Sequence, residues 1–135
     1  MNRTVYVIMI LFIVATLSCQ KKETVFDLEK INARQKLDDV LKDIDDQIED
    51  IKLDTLKLSD GELKENLTAR EEELKALRDS VLTSIDQIGS VSEKEWDSFE
   101  AAMDSTVKRV EEAIELAQQH LFIWRQKQPS IPPTF

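Results

Sequence analysis

The side chains best suited to chemistry are few in this sequence and far apart. Cys19 is the only cysteine and His120 the only histidine among 135 residues. A single cysteine cannot form a disulfide within the chain, and no Cys/His spacing typical of a zinc site is present. One His and two Gly also offer almost no material for a catalytic dyad or a glycine-rich phosphate loop. We therefore expect a protein that is not an enzyme and that carries no metal or other cofactor.

Acidic residues are the other group that could bind a ligand, because they outnumber basic residues by 27 to 18. Calcium requires about six to eight oxygens that converge from a flexible loop. Neighbouring residues on a helix point about 100° apart, so adjacent acids diverge and predict a solvated face rather than a metal site. The clusters are Asp38-Asp39, Asp45-Asp46, Glu49-Asp50 and Glu71-Glu72-Glu73.

The charge balance also limits the partners. A net charge of −9 argues against binding to nucleic acid, since a phosphate backbone attracts basic surfaces. Acid–base pairs four residues apart should each stabilise their own helix by about 0.2–0.5 kcal/mol. These pairs are Asp38/Lys42, Glu71/Lys75 and Asp104/Lys108.

Cys19 follows an uncharged apolar segment. Residues 5–17, VYVIMILFIVATL, contain no charge, and Arg3 is the only charged residue before them. This run is too short to span a hydrocarbon core of about 30 Å comfortably. A short positive start, an apolar middle and small residues before a cut site are typical of a secretory signal peptide. An uncleaved anchor helix is the alternative.

The five residues that end at Cys19, Ala15-Thr16-Leu17-Ser18-Cys19, resemble the lipobox of bacterial lipoproteins. Ser18 and Cys19 match it well, whereas Thr16 stands where that family most often has Leu. The resemblance implies cleavage between Ser18 and Cys19 and a lipid on the Cys19 thiol. Residues 1–18 would then be a signal peptide and residues 19–24 a lipidated tether. An ordinary secretory signal with an incidental cysteine is the alternative.

The residues after Cys19 indicate which membrane would hold the protein. In many Gram-negative lipoproteins an Asp after the cysteine retains the protein in the inner membrane, and this chain has Gln20 there. The resemblance therefore implies an outer membrane, where one exists, with the protein on the periplasmic face. Lys21-Lys22-Glu23 loosely resembles the charged tags that send some lipoproteins to the cell surface, which is the alternative.

Residues 25–128 predict an all-α domain. Apolar residues recur at alternating steps of four and three in three segments, which is typical of helical seams. Gly89 follows the last periodic residue of the second segment, where a left-handed residue is favoured, and Ser92-Glu93-Lys94-Glu95 has a capping-box pattern. The predicted helices are 25–58, 60–88 and 93–127, before a Pro-rich tail at 129–135.

Two architectures remain open, and Gly61 decides between them. Ser59-Asp60-Gly61-Glu62 is also a capping-box pattern, but a glycine inside a helix costs only about 1 kcal/mol, so one helix could run through it. Matched segment lengths and apolar stripes wide enough for two neighbours favour an antiparallel three-helix bundle. The alternative is a long helical hairpin or coiled coil, which would cover its remaining seam by forming a homo-oligomer.

The third segment contains the remaining candidates for a site. His120 lies one turn before Trp124, and a lone His on a seam is more often packed than catalytic. Trp96 and Trp124 would close the two ends of the core. Exposure of Phe122 and Trp124 would instead indicate contact with a partner protein or a lipid headgroup.

A long charged coil followed by a helix that opens on Trp96 and Phe99 resembles small amphipathic-helical envelope proteins. The alanines that add to this likeness are Ala101, Ala102, Ala113 and Ala117. Some such proteins are grouped as stress-response-like, so the likeness implies no defined activity. Our leading hypothesis is a non-enzymatic, lipid-anchored envelope lipoprotein that acts as a structural or protein-binding module for an envelope partner. The alternative is an envelope chaperone or stress-response holdase, which would hold unfolded clients on exposed apolar stripes.

Lipid attachment at Cys19 can be measured by feeding labelled palmitate to cells that produce the chain. We expect Cys19→Ala to lose the label completely, because the thiol is the predicted acceptor. Gln20→Ala leaves the cysteine in place and should keep the label. Label that persists in Cys19→Ala would refute the anchor.

Overall fold

A computed structural model describes residues 24–59 and 61–127 as helices packed against one another, with no strand in these ranges. The predicted all-α fold and three-helix bundle are confirmed, and the single helix through Gly61 is wrong. The helices are α1 (Val25–Thr55), α2 (Glu62–Ile88) and α3 (Trp96–Lys127), and the 3₁₀ turn Glu93–Glu95 precedes α3.

Contacts between helices show that the bundle runs up, down and up. Near the start of α1, Lys30 donates to the carbonyl of Gly89, just past the end of α2, at 3.4 Å. These two helices are therefore antiparallel. Lys36 of α1 pairs with Asp104, near the start of α3, at 2.8 Å. α1 and α3 are therefore parallel, and α2 is antiparallel to both.

The core consists of the apolar seams of all three helices. Removing apolar surface from water contributes roughly 25 cal/mol per Å², which makes this burial the main source of stability. The largest fully enclosed side chains are Leu37, Ile44, Ile51, Leu67, Leu74, Val81 and Val110.

Two tryptophans close the core, as the sequence predicts. Trp96 is buried where α1 and α3 begin, and Phe26 meets it edge-on with ring centroids 5.5 Å apart. Phe99 lies on its other side at 5.4 Å. Aromatic pairs of this kind add about 0.5–1.5 kcal/mol beyond the area they bury. Trp124 is buried near the opposite end.

Side chains cap the starts of α1 and of the 3₁₀ turn. At α1 the Thr24 hydroxyl accepts from the Asp27 N–H at 3.2 Å, and the Asp27 carboxylate accepts from the Thr24 N–H at 3.1 Å. The box predicted at Ser92 is present, because the Glu95 carboxylate accepts from the Ser92 N–H at 3.4 Å. The turn after Ser92 is 3₁₀, so the third α-helix begins at Trp96 rather than at 93.

The first connection differs from the prediction. α1 ends at Thr55 rather than at 58, and a short turn follows it, in which the Leu58 N–H donates to the Thr55 carbonyl. Gly61, not Ser59, is the N-cap residue of α2, and no side chain caps that helix. Gly61 has φ 153° and ψ 176°, a conformation that is essentially confined to glycine.

The second connection corrects another expectation. Gly89 has φ −63° and ψ −29°, which is right-handed helical, so the predicted left-handed residue is wrong. The helix ends instead through a tighter turn, in which the Ser90 N–H and hydroxyl both donate to the Gln87 carbonyl at 3.0 Å. The carbonyl of Gly89 is satisfied from α1 by Lys30.

These backbone conformations predict opposite effects of alanine at the two glycines. Gly61→Ala should lower the free energy of unfolding by about 1–3 kcal/mol, because a Cβ is strained at that φ. Gly89→Ala should raise it by about 0.4–1 kcal/mol, since alanine restricts the unfolded chain and no atom within 4 Å obstructs the new Cβ. Urea unfolding measures both, and a change of the same sign at both positions would contradict the assignment.

Candidate functional site

The predicted site residues do not come together. Ser18, Cys19 and the tail 129–135 lie outside the described residues, so signal cleavage and lipid attachment stay predictions. Trp124 is only 6% exposed and belongs to the core, whereas Phe122 is 60% exposed. Burial therefore removes Trp124 from the predicted contact surface and leaves Phe122 on it.

His120 is half-buried, and its Nδ1 is enclosed without a hydrogen-bond partner. Two other polar seam residues share this feature, because the Thr55 hydroxyl and the Arg70 Nε are also enclosed and unpartnered. Arg70 uses its Nη1 to bind Glu73 at 2.7 Å. None of these contacts joins His120 to a nucleophile or an acid, so no catalytic arrangement forms around it in the described residues.

A groove of about 460 Å³ separates α1 from α3 near the middle of the bundle. Helix periodicity aligns acidic residues along both walls, because positions three, four or seven apart share a helix face. The acids that line it are Asp43, Asp46 and Asp50 from α1 and Glu111 and Glu115 from α3. α1 and α3 share the smallest contact of the three helix pairs, which leaves room for the groove.

The groove is short of positive charge. Asp46 pairs with Lys42 at 3.2 Å, and Glu115 accepts only a neutral hydrogen bond, from Gln119 at 3.5 Å. Among the described residues, no cation lies within ion-pair distance of Asp43, Asp50 or Glu111. Carboxylates from two helices therefore line the groove with few cations beside them.

Acidic neighbours on α1 raise the pKa of Lys42, which pairs with the groove residue Asp46. The hydrogen bond that Lys42 donates to Asp46 raises the pKa most, and the charge of Asp46 adds to it. Asp43 and Asp39 raise it further by their charges. A cation at this position on α1 is therefore favoured by several carboxylates at once.

Gln47 lies in the same groove and is only 5% exposed. Its Nε2 is enclosed and has no hydrogen-bond partner. A buried donor without an acceptor costs about 1–3 kcal/mol. The groove therefore combines unpaired carboxylates with an unused amide donor.

An ion pair joins α1 to α3 beyond the groove. Asp54 is 4% exposed, and its Oδ2 accepts from Arg125 Nε at 3.1 Å and from Nη2 at 2.9 Å. Lys57 binds the other carboxylate oxygen at 3.3 Å. Charge-assisted hydrogen bonds of this kind are roughly twice as strong as neutral ones.

The sequence analysis missed both Gln47 and Asp54. They lie seven residues apart, so they occupy the same position of the helical repeat, beside the seam. The recurrence of a polar residue every seven positions beside a seam was the available signal for the burial of these two residues. This recurrence does not show which neighbouring helix covers that side of the seam.

Comparison with protein-family models, with curated proteins and with solved structures found no match. No three His, Cys, Asp or Glu side chains within residues 24–59 and 61–127 are placed to hold a metal ion. In the same ranges, no helix has both the length and the apolar character needed to cross a membrane. The groove, Phe122 and the motif at Cys19 are therefore the features that bear on function.

The ion pair between buried Asp54 and half-exposed Arg125 predicts a loss of stability when Arg125 is truncated. Arg125→Ala should lower the free energy of unfolding by about 2–3 kcal/mol. That is less than the loss typical of a broken buried pair, because Lys57 still binds Asp54. Urea unfolding provides the measurement.

Lys36→Ala is the matched control for Arg125→Ala. It breaks the exposed pair with Asp104 between the same two helices, and should cost less than about 1 kcal/mol. If both variants lose the same free energy of unfolding, the burial of Asp54 does not strengthen its ion pair.

Proposed function

We propose that this protein is a non-enzymatic, lipid-anchored envelope lipoprotein whose helical bundle acts as a structural or protein-binding module. Lipid on Cys19 holds it to the membrane, and residues 19–24 give the bundle reach. The bundle presents a fixed surface to an envelope protein. The proposed location is the periplasmic face of an outer membrane, with the cell surface as the alternative.

The closed core is the observation that favours a structural or protein-binding module over a holdase. Leu37, Leu74 and Val110, one from each seam, are at most 1% exposed. Apolar stripes that are covered in this way are not available to unfolded clients. The surface also presents an acidic groove and the exposed ring of Phe122, which suit recognition of a defined partner.

A holdase is the second candidate, and exposed apolar residues near the ends of α1 and α3 support it. Leu56 is 84% exposed and Phe122 60% exposed, and Leu53 and Ile123 are about half exposed. Side chains of this kind could hold an unfolded segment. These four side chains come from the end of α1, the turn after it and the end of α3, whereas the seams themselves are covered.

Binding of a dye that fluoresces on apolar surface separates the two candidates. We expect the native 20–135 fragment to bind little dye and to leave the aggregation of an unfolded client unchanged, because its seams are covered. Intermediate urea, which opens the core, should raise the fluorescence and serves as the positive control.

The double variant Leu56→Ser/Phe122→Ser should lower the remaining signal, since both side chains are exposed and lie outside the core. Strong dye binding by the native fragment, together with suppressed client aggregation, would instead establish the holdase.

A further inference from the structure

We propose that the groove between α1 and α3 binds an extended, lysine- or arginine-bearing segment of the partner protein. This inference rests on the proposed role as a protein-binding module and names the chemistry of the partner.

Charge complementarity is the first argument for a basic segment. Carboxylates of Asp43, Asp50 and Glu111 line the groove, and no cation of residues 24–59 and 61–127 pairs with them. Their mutual repulsion opposes close packing of α1 on α3, which is the smallest of the three contacts. Cationic side chains placed between the walls would neutralise both of them.

The spacing of the acids suits a polypeptide in extended form. Asp46 and Asp50 are four residues apart on one wall, and so are Glu111 and Glu115 on the other. At 1.5 Å per residue, each step is about 6 Å along the helix axis. Alternate side chains of an extended peptide recur on one face about every 6.6 Å. Lysines at every second position therefore nearly match the acids on each wall.

The amide donor of Gln47 favours a basic peptide over other cationic ligands. Gln47 lines the groove, and its enclosed Nε2 has no acceptor among the described residues, so a ligand meets this donor when the amide turns toward the groove. A peptide supplies backbone carbonyls that accept such a hydrogen bond, whereas a simple polyamine has no carbonyl. A bare metal ion fits less well, because no three acidic side chains in the described residues converge on one point.

Apolar side chains follow the acids on both walls. Leu53 comes three residues after Asp50, and Phe122 comes seven after Glu115, so each continues the line of its wall. Leu53 is 52% and Phe122 60% exposed. This continuation favours a segment with an apolar residue beyond its cations, and it gives Phe122 its predicted role in partner contact.

Fluorescence anisotropy with the full chain in a non-ionic detergent tests the proposal. The probe is a fluorescein-labelled ten-residue peptide of alternating lysine and alanine. A peptide of alternating glutamate and alanine is the negative probe, and spermidine is the competitor. We expect the lysine peptide to bind and the glutamate peptide not to bind. Absence of binding by the lysine peptide at low salt would overturn the proposal.

Two variants with equal charge change separate the groove from general acidity. Asp50→Asn/Glu111→Gln should weaken the lysine peptide about tenfold, since it removes one unpaired carboxylate from each wall. Asp79→Asn/Asp86→Asn removes two exposed charges from α2, away from the groove, and should change affinity less than about twofold. If both double variants lose affinity for the lysine peptide equally, the attraction is non-specific and the groove is not the binding site.

Gln47→Leu tests the hydrogen bond from Gln47 to a peptide carbonyl. The substitution removes an unsatisfied buried donor, so the melting temperature of the variant should be unchanged or higher. The lysine peptide should bind to the variant about fivefold more weakly. Spermidine should compete equally well with both proteins for the cationic sites. If spermidine binds as tightly as the peptide and Gln47→Leu affects neither, the groove is a polyamine site and the proposal fails.

The outcomes separate this inference from the proposed function. If Cys19 is labelled with palmitate but the lysine peptide does not bind, the proposal of a lipid-anchored module stands and the groove is not its contact surface. Peptide binding without lipid would keep the groove and refute the anchor.

Discussion

The apolar stripe on each helix is too wide for one neighbour to cover, and this constraint governs how the chain folds. A helix that continued through residues 56–61 would leave part of the stripe in water, at roughly 25 cal/mol per Å². Turning the chain twice gives every helix two neighbours and encloses Leu37, Leu74 and Val110 in one core. The positive φ of Gly61 and the 3₁₀ turn at Glu93–Glu95 are the local means by which the stripes meet.

The periodicity of the sequence was sufficient to predict the helices, the seams and the cap at Ser92, because these depend on neighbours along the chain. Features that depend on other helices were predicted less well. Gly89 is right-handed, and its carbonyl accepts from Lys30 across the bundle. Of the predicted pairs within helices, Glu71–Lys75 is present at 2.8 Å. Lys42 binds Asp46 rather than Asp38, and Asp104 binds Lys36 on α1 at 2.8 Å.

The contact between α1 and α3 differs in character along its length. Lys36–Asp104 joins the two helices near their starts, and Asp54–Arg125 joins them near their ends. Between these pairs the groove is acidic and Gln47 keeps an unused donor. Ion pairs therefore flank the acidic part of this contact at both ends. Sequence could not show this, because residues that flank a seam acquire their partner only when the third helix is in place.

An odd number of antiparallel helices has a geometric consequence for a tethered protein. The chain enters the bundle at Thr24 and leaves it at Lys127 at the opposite end, one helix length away. For the 31 residues of α1 that length is about 45 Å. If a membrane holds the protein at Cys19, the bundle works as a spacer. Whatever docks near Phe122 is then held at a set height above the lipid surface.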